Sequence, residues 1–378
     1  MYSQKDVIDE KDVKIYDSLK KSLTDYEKKE IFNYSYIYYI GQLNYKIQNG
    51  IFIKNNKFII KIDDHIGYRF QIINKLGSGT YGTVIKTLDH KYNKFNAIKI
   101  FNNLSYVTLE KLDKLFDKEI EILSILMNRP ITKGIPYELF TLFKNSGTFR
   151  NHNYIIFKLY GQNLYYGRGK IEDSSINDKL IIIKNIFYAL EFFSCESPKI
   201  IHGDIKPENI LFRNDVDFNV VIGDFGLSKI LNGEYNYSNK LIQTRWYRSP
   251  EIIYNIPFNE KIDIWSVGCI IYEIISNNTL FKSKCDDDQL IFIHYILGSP
   301  FRKYIESHEN IGKFYNYKFK PINIKTKKLK VLFPGSGCEI LDKYFTHNNS
   351  ETKMKYNLIR LVYMCLEYNI SDRISSKE

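Results

Sequence analysis

Short runs of β-branched and aromatic residues, separated by polar and glycine-rich turns, dominate the first 160 residues of the chain. The clearest of these runs cover residues 68–73, 83–86, 97–100 and 154–157, and each predicts a strand. One stretch differs, because residues 109–127 place apolar side chains three and four positions apart, which is the spacing of an amphipathic helix. The pattern therefore predicts a β-rich region that contains one long helix.

The second half of the chain has a mainly helical pattern. Helical spacing covers residues 180–193, and a second apolar helix starts at about residue 263, with a short strand at 220–222 between them. We therefore predict an α+β fold of two lobes, one rich in strands and one rich in helices. The predicted domains are an N-terminal extension (1–67), an N-lobe (68–157), a hinge (158–163) and a C-lobe (164–378).

Several segments outside the main pattern also carry predictions. Within the extension, residues 1–30 form a charged arm or a short helix, and residues 31–66 form short strands and turns, with hairpin turns at 49–50 and 55–56. Residues 227–243 are polar and predict a loop. The lysine-rich residues 313–330 predict a surface insertion.

Composition narrows the class of protein only a little. The chain has 378 residues, of which 44% are hydrophobic and 26% charged, as in globular proteins. Its net charge of +11 permits acidic partners, but no arginine-rich block or RNA-binding signature accompanies the charge, so we expect no specific nucleic acid. Five scattered cysteines without a C-x-x-C pair predict a reducing compartment. The polar start of the chain and the short apolar runs predict no signal peptide and no membrane span, hence an intracellular protein.

The most informative stretch is residues 202–209, which has the pattern H-x-D-x-K-P-x-N. Asp204 supplies a carboxylate, Lys206 an ammonium group and Asn209 a carboxamide, in a loop stiffened by Pro207. Phosphoryl transfer uses such a set, because a carboxylate accepts a proton, a cation offsets moving charge and an amide oxygen helps to hold a metal ion. The alternative is an ordinary polar turn between two apolar runs.

Residues 77–82 have the pattern G-x-G-x-x-G, which is weak evidence when it stands alone. In a dinucleotide-binding fold a helix begins at the third glycine, whereas here the β-branched residues 83–85 favour a strand. A glycine-rich hairpin between two strands can place backbone amides over a triphosphate. An ordinary glycine-rich hairpin is the competing interpretation.

Three further charged positions complete the candidate chemistry. Lys99 lies opposite the apolar neighbours at 98 and 100 in a predicted strand. Glu119 and Glu121 in the following helix compete as its partner, and the order of the residues favours Glu119. Asp224 follows the strand at 220–222 in an Asp-Phe-Gly turn, where a carboxylate can hold Mg²⁺.

Taken together, these motifs resemble the eukaryotic protein kinases, because they occur in that family's order and spacing over residues 68–378. Ser249-Pro250-Glu251, residues 263–268 and Arg373 belong to the same resemblance. Within the family, the segment 244–251 resembles the CMGC group. Residues 64–70, 149–152, 162–165 and 242–245 resemble its DYRK branch, with the CLK and SRPK branches as neighbours.

The resemblance implies a serine/threonine protein kinase that binds ATP and Mg²⁺ in a cleft between two lobes. It implies that Asp204 receives the substrate proton, that Lys206 stabilises the transferring phosphoryl group, and that Lys99, paired with Glu119, contacts the α- and β-phosphates. It implies that Asn209 and Asp224 bind Mg²⁺. It also implies that Glu251 and Arg373 form a structural ion pair. The residues implied for nucleotide binding are Leu76, Gly77, Ser78, Gly79, Thr80, Tyr81, Gly82, Thr83, Val84, Ala97, Lys99, Phe157, Lys158, Tyr160 and Leu211.

The chain also departs from the family pattern. Gly203 replaces the arginine that commonly precedes the catalytic aspartate, a change that the DYRK, CLK and SRPK branches share. Lys158 stands where the hinge has an acidic residue, and Leu241 stands where the DYRK branch has a tyrosine. Tyrosine autophosphorylation therefore stays open. Because the family continues past Ser375 into a further helix, we expect a chain truncated at its C-terminus.

Two other functions compete with a protein kinase. A small-molecule phosphotransferase also uses His-Gly-Asp followed by an asparagine, but it lacks a G-x-G-x-x-G loop of this kind and a Ser-Pro-Glu segment. A pseudokinase scaffold would require the loss of Lys99, Asp204 or Asp224, and all three are present. We expect protein substrates with serine or threonine hydroxyls, flanked by a following proline or a preceding arginine, and a monomeric enzyme.

Overall fold

The computed structural model of the chain describes residues 2–3, 19–48, 50–55, 57–102, 109–130, 138–231, 233–236, 242–315 and 350–378. The chain divides into two compact units. The N-terminal unit comprises residues 1–123 and 142–160, and the C-terminal unit comprises residues 124–141 and 161–378. Residues 19–67 therefore belong to the same compact unit as the long strands that follow them.

The N-terminal unit is built on β-structure. Its strands in chain order are β1 Tyr2–Ser3, β2 Tyr36–Ile37, β3 Ile53–Lys54, β4 Lys57–Phe58, β5 His65–Ile66, β6 Phe70–Ser78, β7 Gly82–Asp89, β8 Lys94–Phe101, β9 Phe143–Phe149 and β10 His152–Lys158. Six of them form one antiparallel sheet in the order β5-β6-β7-β8-β10-β9. This confirms the strands predicted at 83–86, 97–100 and 154–157. The strand predicted at 68–73 begins only at Phe70, because Tyr68 has φ +53° and lies in a turn.

Alternation along the central strands separates the two faces of this sheet. In β8, Ile98 and Ile100 are buried in a cluster with Ile85 of β7 and Ile72 of β6, and Lys99 points to the opposite face. The extension adds Ile47, Phe52, Phe58 and Ile66 to the same cluster. The extension therefore completes the apolar core of the sheet.

The described residues of the extension form only short elements of regular structure. Strands β3 and β4 pair as a hairpin, as the predicted turn at 55–56 requires, although Asn56 lies outside the described residues. Two short 3-10 helices, Ile31–Asn33 and Leu43–Tyr45, stand where only strands and turns were predicted. Asn49, the first residue of the other predicted turn, and most of the arm before residue 19 also lie outside the described residues.

The described residues contain ten α-helices, among them the three that the sequence pattern predicted at 109–127, at 180–193 and from about residue 263. Those described are α1 Glu27–Glu30, α2 Leu109–Met127, α3 Arg168–Glu172, α4 Ile176–Ser194, α5 Pro250–Tyr254, α6 Lys261–Ser276, α7 Asp286–Leu297, α8 Arg302–Glu306, α9 Glu309–Gly312 and α10 Ser350–Cys365. Helix α2 has the predicted bounds. Helix α4 begins with a capping box, in which Ser175 and Asp178 each accept the other's backbone N–H. Such a cap contributes about 1 kcal/mol to helix stability.

Twelve of the sixteen residues of helix α6 are buried, so the helix packs against other parts of the unit on nearly every side. A Cβ at Gly268 would lie 2.7 Å from the Cβ of Cys365 in α10. The glycine therefore allows α10 to pack closely against α6.

Four short strands organise the loops of the C-terminal unit: β11 Ile200–Ile201, β12 Ile210–Phe212, β13 Val220–Ile222 and β14 Lys229–Ile230. β12 pairs with β13, and β11 pairs with β14. The prediction that residues 227–243 form only a loop is wrong, because β14 lies in this segment and Asn236 forms a bridge with Phe258. The pairing of β11 with β14 and the bridge between Asn236 and Phe258 each join residues that are distant in sequence. Local composition therefore does not predict them.

The predicted ion pair between Glu251 and Arg373 is present, with Arg373 Nη2 3.0 Å from Glu251 Oε2 and both side chains almost fully buried. Residues 316–330 of the lysine-rich insertion lie outside the described residues. Within the part of the chain that the structure describes, no helix is both long enough and apolar enough to cross a membrane.

Candidate functional site

The loop of residues 202–209 begins with a turn that requires glycine. Gly203 has φ +73°, a left-handed conformation that glycine adopts without steric cost. A Cβ at this position would also lie 3.2 Å from the carbonyl oxygen of Leu227. Any other residue here would be strained in this backbone conformation.

Asp263 in the first turn of α6 fixes this turn from outside the loop. Its Oδ2 accepts the His202 N–H at 2.7 Å, and its Oδ1 accepts the Gly203 N–H at 2.9 Å. Burial raises the pKa of Asp263 to about 7, and the two backbone donors oppose that shift. Asp263 is not the N-cap of α6, because Glu260 occupies that position.

His202 is locked in one neutral form. Its Nε2 lies 3.1 Å from the Gly223 carbonyl oxygen, which can only accept, so Nε2 carries the proton. Its Nδ1 is then free to accept the Asp204 N–H at 3.2 Å. Burial lowers the pKa of His202 and so favours this neutral ring. His202 therefore links the segment before Asp224 to the backbone of Asp204.

The carboxylate of Asp204 is the centre of the loop. Its Oδ1 accepts the Thr244 hydroxyl at 2.6 Å and the Thr244 N–H at 3.0 Å. Its Oδ2 accepts Lys206 Nζ at 2.7 Å and Asn209 Nδ2 at 3.2 Å. Lys206 also donates to the Thr244 hydroxyl at 3.0 Å. The residues of the sequence motif thus converge on one carboxylate, and Thr244 from a distant segment joins them.

Asn209 and Asp224 lie at adjacent ends of the β12–β13 hairpin. Asn209 precedes β12, and its carbonyl oxygen accepts the N–H of Gly223, the residue that follows β13. Its Nδ2 donates to the Asp204 carbonyl at 2.9 Å, which leaves Oδ1 as the atom that can face a cation. Asp224 is exposed and has φ +64°. A carboxamide oxygen and an exposed carboxylate are ligands that suit Mg²⁺.

Phe225 anchors the turn that carries Asp224. The Phe225 ring is 1% exposed and packs edge-on against Phe140, Phe193 and His202, with centroids 5.1–6.0 Å apart. Aromatic packing of this kind holds the preceding backbone in one place. The position of Asp224 therefore depends on the apolar core of the C-terminal unit.

In the N-terminal unit, the glycine-rich segment forms the β6–β7 hairpin turn. Gly77 pairs with Val84 and Ser78 pairs with Thr83. A Cβ at Gly82 would lie 2.8 Å from the Ile100 carbonyl oxygen, so packing requires this glycine. At Gly77 and Gly79 a Cβ would meet no protein atom closer than 4.0 Å, and neither residue has a positive φ. Since the fold does not demand these two glycines, close approach of a ligand to their backbone is the remaining physical reason for them.

Asn102 holds the tip of this hairpin. Its Nδ2 donates to the carbonyl oxygens of Gly79 at 3.1 Å and Thr80 at 2.9 Å, and its backbone N–H donates to Tyr81. Asn102 follows β8 and is 2% exposed. Sequence reasoning missed this residue, because a single asparagine after a strand carries no distinctive signal.

Lys99 and Glu119 form a buried pair within the N-terminal unit. Lys99 Nζ lies 2.8 Å from each carboxylate oxygen of Glu119, and both residues are nearly buried, whereas Glu121 is exposed. Lys99 sits beside Val84 in the sheet register, one strand away from the glycine-rich turn. This places a fixed ammonium group near the backbone that a phosphate would approach.

Strand β10 and the residues after it hold the segment predicted as the hinge. Phe157 pairs with Ala97 across the sheet. Lys158 donates its N–H to the Leu142 carbonyl at 3.0 Å, and the Tyr160 hydroxyl accepts the Leu142 N–H at 3.2 Å. Leu211, in the C-terminal unit, pairs with Val221 in the β12–β13 hairpin. The other residues predicted to contact nucleotide lie on β6, in its turn and on β7: Leu76, Ser78, Thr80, Tyr81, Thr83 and Val84.

Gln243 is a second residue that sequence reasoning did not single out for a role. It has φ +65°, and its buried side chain bonds to Ile262 and Ser266 through Nε2 and to Ser249 through Oε1. Its N–H donates to the Gly203 carbonyl at 2.8 Å. The Gln243 side chain and its N–H thus hold the backbone directly before Thr244, the residue that bonds to Asp204.

Comparison with known proteins agrees with this geometry. The family model described as the protein kinase domain matches residues 70–378. Since this match covers most of the chain, the protein belongs to the protein kinase family.

Its similar relatives include several dual specificity tyrosine-phosphorylation-regulated kinases. The chain is 32% identical to kinase 4 of this name from Homo sapiens over 327 residues, which is 84% of this chain and 60% of the relative. It is 33% identical to kinase 3 from Homo sapiens over 80% of this chain and 51% of the relative. It is 31% identical to the mbk-2 kinase of Caenorhabditis elegans over 79% of this chain and 36% of the relative. The matches thus span from about a third to three fifths of these relatives' lengths.

Proposed function

We propose that this chain is an ATP-dependent protein kinase that phosphorylates serine and threonine hydroxyls of protein substrates. The observation that carries the proposal is the set of four hydrogen bonds on the Asp204 carboxylate, from Thr244, Lys206 and Asn209. This arrangement fixes a base beside a cation, as phosphoryl transfer to a hydroxyl requires. The kinase domain covers residues 68–378, residues 1–67 are an extension, and the described residues 47–66 of this extension contribute to the apolar cluster of the sheet.

Asp204 orients the substrate hydroxyl and accepts its proton as the hydroxyl oxygen bonds to the γ-phosphorus. The bond from that phosphorus to the bridging oxygen then breaks, and ADP leaves. Lys206 offsets the negative charge on the transferring group. The reaction requires little covalent chemistry from the protein, so position and electrostatics determine the rate.

The N-terminal unit supplies nucleotide contacts. The backbone around Gly77, Gly79 and Gly82 covers the phosphates, and Lys99, held by Glu119, contacts the α- and β-phosphates. Within the N-terminal unit, Ala97, Phe157, Lys158 and Tyr160 serve the adenine side. Asn209 Oδ1 and the Asp224 carboxylate would hold Mg²⁺, which would neutralise phosphate charge.

The contact between Lys206 and Thr244, beside the proposed base Asp204, favours serine and threonine as the acceptor residues of the substrate. Both side chains border the position that the acceptor hydroxyl must take. The scaffold alternative gains no support, because Lys99 and Asp204 keep the geometry that transfer requires.

A peptide-array assay with Mg-ATP tests this function. We expect the array to detect phosphoserine and phosphothreonine, and Lys99→Met to abolish transfer. Lys94→Met is the matched control, because Lys94 lies at the exposed start of the same strand. Predominant phosphotyrosine on the peptides, or normal transfer by a folded Lys99→Met protein, would contradict the proposal.

A further inference from the structure

Asp286, the first residue of helix α7, joins two arginines of the segment that carries Thr244. Its Oδ1 lies 2.5 Å from Arg248 Nη1 and 3.3 Å from Arg245 Nε. Burial lowers the pKa of the Arg248 guanidinium, and the Asp286 carboxylate opposes that shift. One carboxylate therefore counters two neighbouring positive charges.

Arg248 also hydrogen-bonds to the backbone of the segment that precedes Thr244. Its Nη2 donates to the Gln243 carbonyl at 2.9 Å, and its Nε lies 3.2 Å from the Ile242 carbonyl. Gln243 has φ +65°, a strained conformation for a residue with a side chain, which persists only where its surroundings hold it. Arg248 is one of the groups that hold it.

Gln243 and Thr244 connect this backbone to the centre of the site. Gln243 N–H donates to the Gly203 carbonyl, next to Asp204, and Thr244 donates twice to the Asp204 carboxylate. The path from Asp286 to Asp204 thus lies within the C-terminal unit: hydrogen bonds join Asp286 to Arg248 and Arg248 to Gln243, and the peptide bond leads to Thr244, which hydrogen-bonds to Asp204.

We propose that Asp286 is a positioning residue for phosphoryl transfer, which holds Arg245 and Arg248 and thereby orders residues 242–244 around Asp204. A fixed carboxylate here performs the task that an added phosphate performs elsewhere, namely pairing with arginines to order a loop. The proposal rests on the proposed kinase function for its kinetic consequences. Its structural consequence, the ordering of residues 242–244, does not depend on that function.

The competing explanation is that Asp286 only stabilises the start of α7. An acidic side chain in a first helical turn interacts favourably with the helix dipole. Asp287 lies in the same first turn, and its side chain forms no hydrogen bond or ion pair with the residues that the structure describes. Asp287→Asn is therefore a matched control, because it removes a charge from the same helix end without touching the arginines.

The kinetic test compares Asp286→Asn, Asp286→Glu, Asp287→Asn and the unchanged protein. We expect kcat of Asp286→Asn to fall by about 10- to 100-fold, as for misplaced catalytic groups, with KM for ATP within about twofold. Asp286→Glu should recover most of the lost kcat, and Asp287→Asn should behave as the unchanged protein. A kcat within about twofold of normal in Asp286→Asn, or an equal loss in Asp287→Asn, would overturn the proposal.

A chemical test distinguishes a missing anion from general damage. Asp286→Gly leaves both arginines and removes the whole carboxylate side chain. Added acetate should raise the kcat of this variant several-fold and leave Asp287→Asn unchanged. Absence of any acetate effect in a folded Asp286→Gly protein would count against an anion-bridging role.

Hydrogen exchange decides the structural part without any catalysis. In Asp286→Asn, the amides of Gln243 and Thr244 should exchange at least about tenfold faster, while amides in the centre of α7 stay protected. Unchanged protection at 243–244 would refute the ordering role. If the unchanged protein transfers no phosphate, the proposed kinase function fails, and the exchange measurement still decides whether Asp286 orders this segment.

Discussion

Arg150 reaches across the N-terminal unit to Glu30, a residue 120 positions earlier in the chain. Arg150 Nη2 lies 2.8 Å from Glu30 Oε2, and the two side chains are 2% and 10% exposed. Arg150 is in the turn between β9 and β10, whereas Glu30 ends helix α1 in the extension. This contact ties the extension to the far edge of the sheet.

The pair is part of a larger buried network. Arg150 also contacts Glu27, which accepts Lys46 Nζ at 2.7 Å and lies 3.0 Å from His65 Nε2. Burial favours a higher pKa for Glu27, yet hydrogen bonds and charges from His65 and Lys46 lower it to about 2. The carboxylate is therefore ionised, and the cationic side chains around it neutralise its charge.

The first prediction concerns the stability that this network provides. Arg150→Met should lower the free energy of unfolding by about 3 kcal/mol, because it leaves the nearly buried Glu30 carboxylate without its guanidinium partner and removes one of the cations around Glu27. Urea denaturation measures the change. Arg302→Met is the control, since Arg302 and Glu306 form an exposed pair with side chains 71% and 52% exposed. The control should cost less than about 1 kcal/mol, and equal losses in both variants would refute a special role for Arg150.

The second prediction concerns pH. His294 in α7 is buried beside Tyr315 and Tyr368, and burial lowers its pKa from 6.5 to about 4. The unfolded chain therefore binds this proton more tightly than the folded chain. The stability due to neutral His294 is complete above pH 6.5 and is lost as pH falls towards 4. The loss over that range should be about 3 kcal/mol.

His294→Gln tests this prediction, because glutamine keeps hydrogen-bonding groups but does not titrate. Urea denaturation at about pH 7 and about pH 4.5 gives the dependence for both proteins. The unchanged protein should lose more stability than the variant over this interval. Parallel pH curves would show that another group causes the acid sensitivity.

The third prediction is that activity does not need a phosphate on the activation segment. In many kinases an arginine directly before the catalytic aspartate binds that phosphate, and here the position is Gly203. The test compares protein made in bacteria before and after phosphatase treatment, with mass spectrometry of residues 227–248. Turnover should stay nearly constant. A loss of tenfold or more, about 1.4 kcal/mol of barrier, would contradict the prediction.

The sequence predicted those parts of the structure that depend on local pattern. Alternation and β-branched residues located β7, β8 and β10, and apolar spacing gave the bounds of α2. Motif order favoured Glu119 over Glu121 as the partner of Lys99, and the structure places Glu119 at that ammonium group. Such features can be predicted from the sequence, because each depends on residues close together in the chain or on a motif with fixed spacing.

The remaining features depend on contacts that no local pattern encodes. Asp286 meets Arg248, 38 positions earlier, and Arg150 meets Glu30, 120 positions earlier. Single charged residues of this kind are indistinguishable from solvated surface residues in a sequence. The strand β14 was missed for the same reason, since its partner β11 lies before the loop of residues 202–209.

The final prediction tests the central claim, that Asp204 is the base of a phosphoryl-transfer site. Asp204→Asn keeps the shape of the side chain but removes the charge that accepts the proton. Phosphorylation of a serine peptide with Mg-ATP should fall by about a hundredfold or more, with an unchanged thermal melting temperature. Asp215→Asn, an exposed change in the loop after β12, should retain normal transfer. Near-normal transfer by a folded Asp204→Asn protein would contradict the assignment of this site.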